Sequence, residues 1–386
     1  MPSQSLRINL CVNATPQEGG QGLNLSHVAN ALRNNHAVTI FCRASTCPTD
    51  PPARGVPPSR IAKLGLRVPV LRRLRDWWNL VEHMHFDEWV AKHLPDADVV
   101  VASAGSALSI FRAAKRRNMK CVLDVTTTHV DHFGEVQDRE LARFGGRPTW
   151  HPWLRKRTRH EYELADAIRV MSQVAKRTLV NHGVPQKKIF VALPPIARPD
   201  APQANFSELT FRVDFVGLIE PAKGFHYLIE AFDRLDIKDS QLTLWGGPGL
   251  RGVSSYLAER VARNPRIVIS PQSVQKLGFE KVYSRSSVVV LPSLADGFGY
   301  VVGEAMSCGV PVIVTTATGA ADLIEDGVNG FVVPPADVNA LIERLRILAT
   351  DMDRRRRMGT AARETALRYG PEQFQAAWDR LLASVL

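Results

Sequence analysis

From Val288 to Thr315 the chain alternates between runs that have to be buried and interruptions that have to be turns. Val288 to Leu291 is an unbroken run of large apolar residues, which suits a strand covered on both faces in a parallel sheet. Pro292 ends it. Asp296-Gly-Phe-Gly299 follows as a loop whose glycines let backbone come close to a ligand. Tyr300 to Ser307 is apolar enough for a buried helix, Gly309 sits where a helix C-terminus favours positive φ, and Val310 to Thr315 is the next strand. A strand, loop, helix, turn and strand in this order predict an α/β chain with a parallel sheet.

The spacing within this stretch carries chemistry. Asp296 lies on the loop and Glu304 inside the helix, with seven residues between them. A helix N-terminus has free N–H groups and a dipole that favour an anion. One acid precedes that point and the other follows it by about a turn. A phosphate between two polyhydroxyl groups fits this pattern, and a nucleotide-sugar is such a ligand. The stretch resembles the donor-site motif of the retaining, family-4 type glycosyltransferases of GT-B fold, written E-x7-E and here reading D-x7-E. The resemblance implies that Asp296 contacts the donor sugar, that Glu304 contacts the ribose, and that the amides near Phe298, Gly299, Tyr300 and Val301 face sugar and diphosphate.

The chain has 386 residues, more than one core usually holds, so two domains are expected. The expected architecture is α/β, with two Rossmann-like domains facing across a cleft. Residues 1–197 form an acceptor-side domain, 198–210 a proline-dense linker and 211–370 a nucleotide-sugar domain. Residues 371–386 form a terminal helix which, on the resemblance alone, crosses back to the first domain.

The first half opens as a βαβ unit, with Leu6 to Val12 and Ala37 to Cys42 as strands. Leu25, Val28, Ala29 and Leu32 are spaced for one helical face. The loop before that helix ends Gly19-Gly20-Gln21-Gly22. It is not G-x-G-x-x-G, and the second strand ends without an acid for a ribose, so the dinucleotide fingerprint is absent. The resemblance implies instead that Gly19, Gly20 and Gly22 face the donor diphosphate and the acceptor. A purely geometric turn is the alternative. His129 follows the strand Lys120 to Val125 at its carboxyl end, where open α/β sheets bind ligands. The resemblance implies a histidine here near the transferred sugar, with His132 as a rival.

In the second half, Val216-Gly217-Leu218-Ile219 through Lys223-Gly224 resembles the family's V-G-R-L-x-x-x-K-G. Gly217 and Lys223 match, and a lysine where a loop meets a helix suits phosphate as a point charge. Leu218 stands where the family has the arginine that shares the diphosphate. The resemblance also implies a base pocket at Ser270 to Gln272.

Net charge is +11 with a pI near 9.7. Basic clusters at 71–75, 115–117 and 154–159, the first followed by Trp77 and Trp78, make an anionic membrane surface a candidate partner. No nucleic-acid module is present. The run Arg354 to Arg357 reads as a solvated helix face. Five cysteines form no paired framework and the first residues lack a secretory pattern, so a cytoplasmic setting is expected, with membrane association as a candidate addition. His83-x-His85 and His129-x-x-His132 lack a third ligand, and Asp96-Ala-Asp98 runs straight into a strand, so neither metal nor cofactor is expected.

The resulting expectation is a retaining, metal-independent transferase with His129, Asp296 and Lys223 as its catalytic groups. It would move sugar from a nucleotide-sugar to a glycan, lipid-linked or small-molecule acceptor. The two departures, Leu218 and Asp296, keep a non-catalytic nucleotide-sugar-binding scaffold as the alternative.

Overall fold

The computed structural model describes residues 5–43, 53–61, 64, 75–146, 152–206, 210–247, 251–272 and 274–386. Two parallel sheets organise it. The first has β1 (Arg7–Cys11), β2 (Ala37–Cys42), β3 (Arg54–Gly55), β4 (Val99–Ser103), β5 (Lys120–Val125), β6 (Ala167–Val170) and β7 (Ile189–Val191), in the order β3-β2-β1-β4-β5-β6-β7. The second has β8 (Phe211–Val216), β9 (Ser240–Trp245), β10 (Ile267–Ser270), β11 (Val288–Leu291), β12 (Val312–Thr315) and β13 (Phe331–Val333), in the order β10-β9-β8-β11-β12-β13. The central strands β4 and β11 are buried along their whole length, as their unbroken valine runs require.

Each order reverses once, between β1 and β4 and between β8 and β11. Loops leaving the carboxyl ends of such neighbouring strands diverge and open a crevice. The glycine segment follows β1, Lys223 follows β8 and Asp296 follows β11, so each candidate residue leaves a strand that borders a reversal.

The terminal helix Pro371–Val385 packs on the first sheet, where Phe374, Trp378, Leu381 and Leu382 share a core with Leu25, Val28 and Leu32. Beneath it lies Arg169, fully buried, with its guanidinium 5.2 Å from the Phe374 ring and 5.9 Å from the Trp378 ring. Its charge is met by Asp124 at 2.9 Å and by the Ala192 carbonyl at 2.7 Å. The chain crosses between the sheets at Ile196–Ala197 and again near Tyr369. The two crossings are bonded to each other, because the Ile196 and Ala197 amides both donate to the Tyr369 carbonyl at 3.0 and 3.1 Å.

Several expectations change. The helix Gly19–Arg33 starts at the first glycine rather than after the last. Part of the proline-rich stretch forms β3, paired with β2, while residues 44–52, 62–63 and 65–74, including Arg72 and Arg73 of the first basic cluster, lie outside the described residues. The run Arg354–Arg357 is not simply solvated. Arg355 is 4% exposed, stacked on Phe206 and Phe211, and donates to the Leu348 carbonyl. The other basic clusters are largely paired within the chain: Lys115 with Asp166, Arg117 with Asp96, Arg155 with Asp138, Arg157 with Asp87 and Arg159 with Asp131. Among the described residues no helix is long and apolar enough to cross a membrane.

Trp378→Ala removes the largest fully buried side chain of the fold. It should lower stability by about 3–5 kcal/mol, read as an earlier denaturant midpoint. A midpoint within error of wild type would show that the terminal helix does not hold the first domain.

Candidate functional site

Lys223 closes a short 3-10 turn, Pro221–Lys223, and Gly224 then takes φ 67° to start the helix Phe225–Asp233. The Lys223 ammonium reaches the Asp296 carboxylate at 2.5 Å. That carboxylate also accepts from the Ser293 hydroxyl and from the Phe298 amide, both at 3.3 Å. Asp296 is 8% exposed, so the pair is held in a largely dry setting where charge is strong. Glu220 lies close enough for burial to raise its pKa, with the Lys223 charge opposing that rise and Asp296 adding to it.

Backbone packing fixes the Asp296 loop. A Cβ on Gly297 would lie 2.2 Å from the Thr126 carbonyl oxygen, at the carboxyl end of β5 in the other domain. The Ser172 hydroxyl donates to the Gly297 carbonyl at 2.7 Å while accepting from the Ala175 amide as the cap of the helix Gln173–Asn181. Gly299 then takes φ 90° and opens the helix Tyr300–Ser307. No side chain caps this helix, and its first turn holds no acid. The same is true of the glycine helix Gly19–Arg33 and of the helix after Lys223. These three helix N-termini have no side-chain cap bond and no acid in their first turn, with Glu18 as the N-cap residue of the first.

Two of these helix starts meet. A Cβ on Gly20 would lie 4.0 Å from the Tyr300 ring, His27 stacks on that ring at 6.0 Å, and the Tyr300 hydroxyl donates to Asn24 at 3.4 Å. Asn24 is itself fixed by Asp124 at 2.6 Å and Arg169 at 2.8 Å. The three glycines differ in what they face. Gly19 borders open space and Gly20 faces Tyr300, whereas a Cβ on Gly22 would lie 2.0 Å from its own loop, at the Thr15 carbonyl. Gly217, with φ 141°, ends β8 facing open space, and its carbonyl leaves no room for a Cβ on Gly246.

Glu304 is 4% exposed and accepts from the Tyr283 hydroxyl at 3.0 Å. Burial holds its pKa above the ordinary 4.5, against the Tyr283 hydrogen bond and the charge of Arg198. Phe298 is buried with its ring edge-on to Tyr300, and Val301 is half-buried in the first helical turn. Leu218 is 50% exposed. Ser270, Pro271 and Gln272 line a cavity of about 480 Å³ together with Thr243, Trp245 and Lys281.

His129 caps the helix Val130–Ala142, with Nδ1 accepting from the Asp131 amide at 3.2 Å. It is 2% exposed, stacked on His182 at 4.3 Å and tilted against Tyr162 at 5.0 Å. Burial and the His182 charge lower its pKa to about 4. The structure thus sets His129 within the first domain's packing, where its amide donates to the Thr178 hydroxyl at 3.0 Å. His132 lies 6.1 Å from His182, ring to ring. His83 bonds Ser106, and His85 bonds the Pro57 carbonyl. Asp98 accepts from the Arg7 amide at 2.7 Å, a turn contact. Among the described residues no three His, Cys, Asp or Glu side chains gather as a metal site would need.

Asn24 escapes sequence reasoning, and so does the reach of Ser172 to Gly297, because each joins segments far apart in the chain.

Residues 200–365 match the family model described as Glycosyl transferases group 1, and residues 18–197 match the one described as Glycosyltransferase Family 4. The D-inositol 3-phosphate glycosyltransferase of Kribbella flavida is 31% identical over 212 residues, covering 52% of this chain and 49% of that protein. The capsular polysaccharide biosynthesis glycosyltransferase CapM of Staphylococcus aureus is 32% identical over 159 residues, 40% of each. The chain spans about half or less of the length of these curated relatives. Among solved structures, a sucrose-phosphate synthase of Thermosynechococcus elongatus aligns over 98% of both chains with TM-score 0.73 at 19% identity. Anabaena HepE in complex with UDP-glucose aligns over 98% of this chain and 100% of that one, with TM-score 0.73 at 18% identity. The fold is the expected pair of facing Rossmann-like domains.

An acid whose pKa rises on folding contributes its full stability below the unfolded value and loses it as pH climbs through the folded value. For Glu304 that loss begins near 4.5. Glu304→Gln should therefore be more stable than wild type at pH 8 and lose the advantage at pH 4. A variant no more stable at pH 8 would mean that the buried carboxylate is already fully compensated.

Proposed function

The chain belongs to the family 4 glycosyltransferases, and we propose that it moves a sugar from a nucleotide-sugar to a glycan, lipid-linked or small-molecule acceptor, with retention of configuration. The observation that carries this is the Lys223–Asp296 pair set among helix N-termini that have no side-chain cap bond and no acid in their first turn. Such a site offers an anion several oriented amides and one lysine ammonium.

In this reading the donor diphosphate lies on the amides at Gly299, Tyr300 and Val301, with Gly19 and Gly20 opposite. Gly217 leaves room beside it, and Gly22 holds the glycine turn. Phe298 gives its amide to Asp296 and its ring to Tyr300. The sugar hydroxyls share Asp296, and Glu304 takes the ribose. Lys223 neutralises the charge that gathers on the leaving diphosphate, an electrostatic role. The bond from the anomeric carbon to the diphosphate breaks while the acceptor oxygen bonds to that carbon on the same face. The acceptor's proton passes to a diphosphate oxygen. Asp296 is committed to Lys223, Ser293 and the Phe298 amide, which suits a hydrogen-bonding role better than attack. With Nδ1 accepting, a neutral His129 carries its proton on Nε2, and at 2% exposure it would meet the sugar only after a shift of the packing around it. The reading assigns the positive charge to Lys223 and calls for no metal.

HepE was solved with UDP-glucose, so UDP-sugars come first as donors. The named relatives make inositol phosphates and polysaccharide chains the first acceptors to try. Membrane contact would rest on the segment before Trp77, because the other basic clusters are internally paired. Leu218, half exposed where a second cation is expected, favours the scaffold as the second reading.

Calorimetry with UDP, GDP, dTDP and ADP tests both. One diphosphate should bind wild type, and Lys223→Ala should weaken it roughly ten- to hundredfold, the worth of a charged hydrogen bond. Glu304→Ala should also weaken it. Diphosphate release from the matching sugar donor would establish the enzyme, and binding without turnover on any acceptor would establish the scaffold. No binding of any of the four would overturn the donor site.

A further inference from the structure

The helix Val130–Ala142 begins in the first domain and ends in the second. Val136 belongs to the second domain's core, and Phe144, just beyond the helix, stacks on Phe225 at 5.7 Å and meets Tyr256 edge-on at 5.1 Å. Between them, Gln137 is 4% exposed and its side-chain carbonyl accepts the Ala222 amide at 2.9 Å. Ala222 immediately precedes Lys223. Its own carbonyl accepts the Leu294 amide at 2.8 Å, from the loop that carries Asp296. On the other side of the lysine, Gly224 is pressed so close to the Pro292 carbonyl that a Cβ would lie 2.0 Å from it. One turn after Gln137, Glu140 accepts from His226 at 3.2 Å and from Tyr227 at 3.1 Å, which fixes the helix lengthwise.

The peptide before Lys223 is thus held from both sides: by the Asp296 loop through its carbonyl and by the other domain through its amide. We infer that Gln137 is a positioning residue for the donor diphosphate, setting the Lys223 turn from across the domain boundary. The inference rests on the diphosphate role proposed for Lys223. Without Gln137 the Ala222 amide is buried and unpaired, which the turn relieves by shifting, and Lys223 shifts with it. Gln137 itself touches neither donor nor acceptor.

The test uses the full chain and the same calorimetry with UDP, GDP, dTDP and ADP. Gln137→Met keeps the length and removes the acceptor; it should weaken the bound diphosphate about tenfold. Gln137→Glu keeps an acceptor for the amide and should recover most of that loss. Phe144→Leu loosens the same interface without touching Ala222; it should lower the unfolding midpoint and leave diphosphate affinity unchanged. Gln137→Met binding like wild type, Gln137→Glu failing to recover, or Phe144→Leu weakening the diphosphate equally would each overturn the inference while Lys223 stands. Lys223→Ala binding normally, or none of the four binding to wild type, would remove the functional reading and the inference with it.

Discussion

Backbone meets backbone around the site, across the two domains where Gly297 meets Thr126 and within the second domain at three further glycines, and no side chain fits between. Ideal Cβ positions on Gly297, Gly319, Gly224 and Gly246 would lie 2.0–2.2 Å from carbonyl oxygens of Thr126, Gly297, Pro292 and Gly217. Only glycine permits such an approach. The rest of the site follows from it. Lys223 and Asp296 come from loops after different strands, β8 and β11, and meet because the segments carrying them are pressed together. Ser172 spans the boundary to Gly297, and the Gln173 amide meets Asp322 at 2.5 Å beside it. The helix starts that could hold an anion are aimed by the same contacts.

The pair itself has a price for the ligand. In the proposed reading, with Leu218 in place of a second cation, Lys223 is the charge a donor would draw upon, and Asp296 already holds it with Glu220 near. A diphosphate has to share the ammonium, and a sugar hydroxyl has to take up what Asp296 gives back. Donor binding on that reading would be an exchange of partners rather than the filling of an empty charge, tying recognition of the sugar to recognition of the phosphate.

Much of this was legible in the sequence. Apolar runs of four to six residues marked the central strands, and the stretch around Asp296 marked its own loop and helix. Gly309 takes φ 72° after the helix it was expected to end. What stayed hidden was contact between distant segments. Gln137 and Ala222 are 85 residues apart, and Ser172 and Gly297 are 125 apart; neither partner carries a period or a motif. The helix start at Gly19 was hidden because glycine is a poor helix former, and the closure of Thr15 onto Gly22 overrides that preference. The basic runs looked solvated because their acids lie elsewhere in the chain, and Arg355 because a planar guanidinium can be buried between rings.

The two crossings joined at the Tyr369 carbonyl have a mechanical consequence. Two straps bonded side by side make a leaf hinge, which bends across its width and resists torsion. Any parting of the sheets has to turn about the line through Ile196 and Tyr369. The helix carrying Glu304 lies against that line, since a Cβ on Gly303 would touch Ile196 and the Ser307 hydroxyl donates to the Ile196 carbonyl at 2.7 Å. Glu304, the acid proposed for the ribose, therefore sits at that line, where a rotation of the sheets would displace it least. The contacts from Thr126, Ser172 and Gln137 belong to the moving leaf, and they are the ones that such a rotation would make and break.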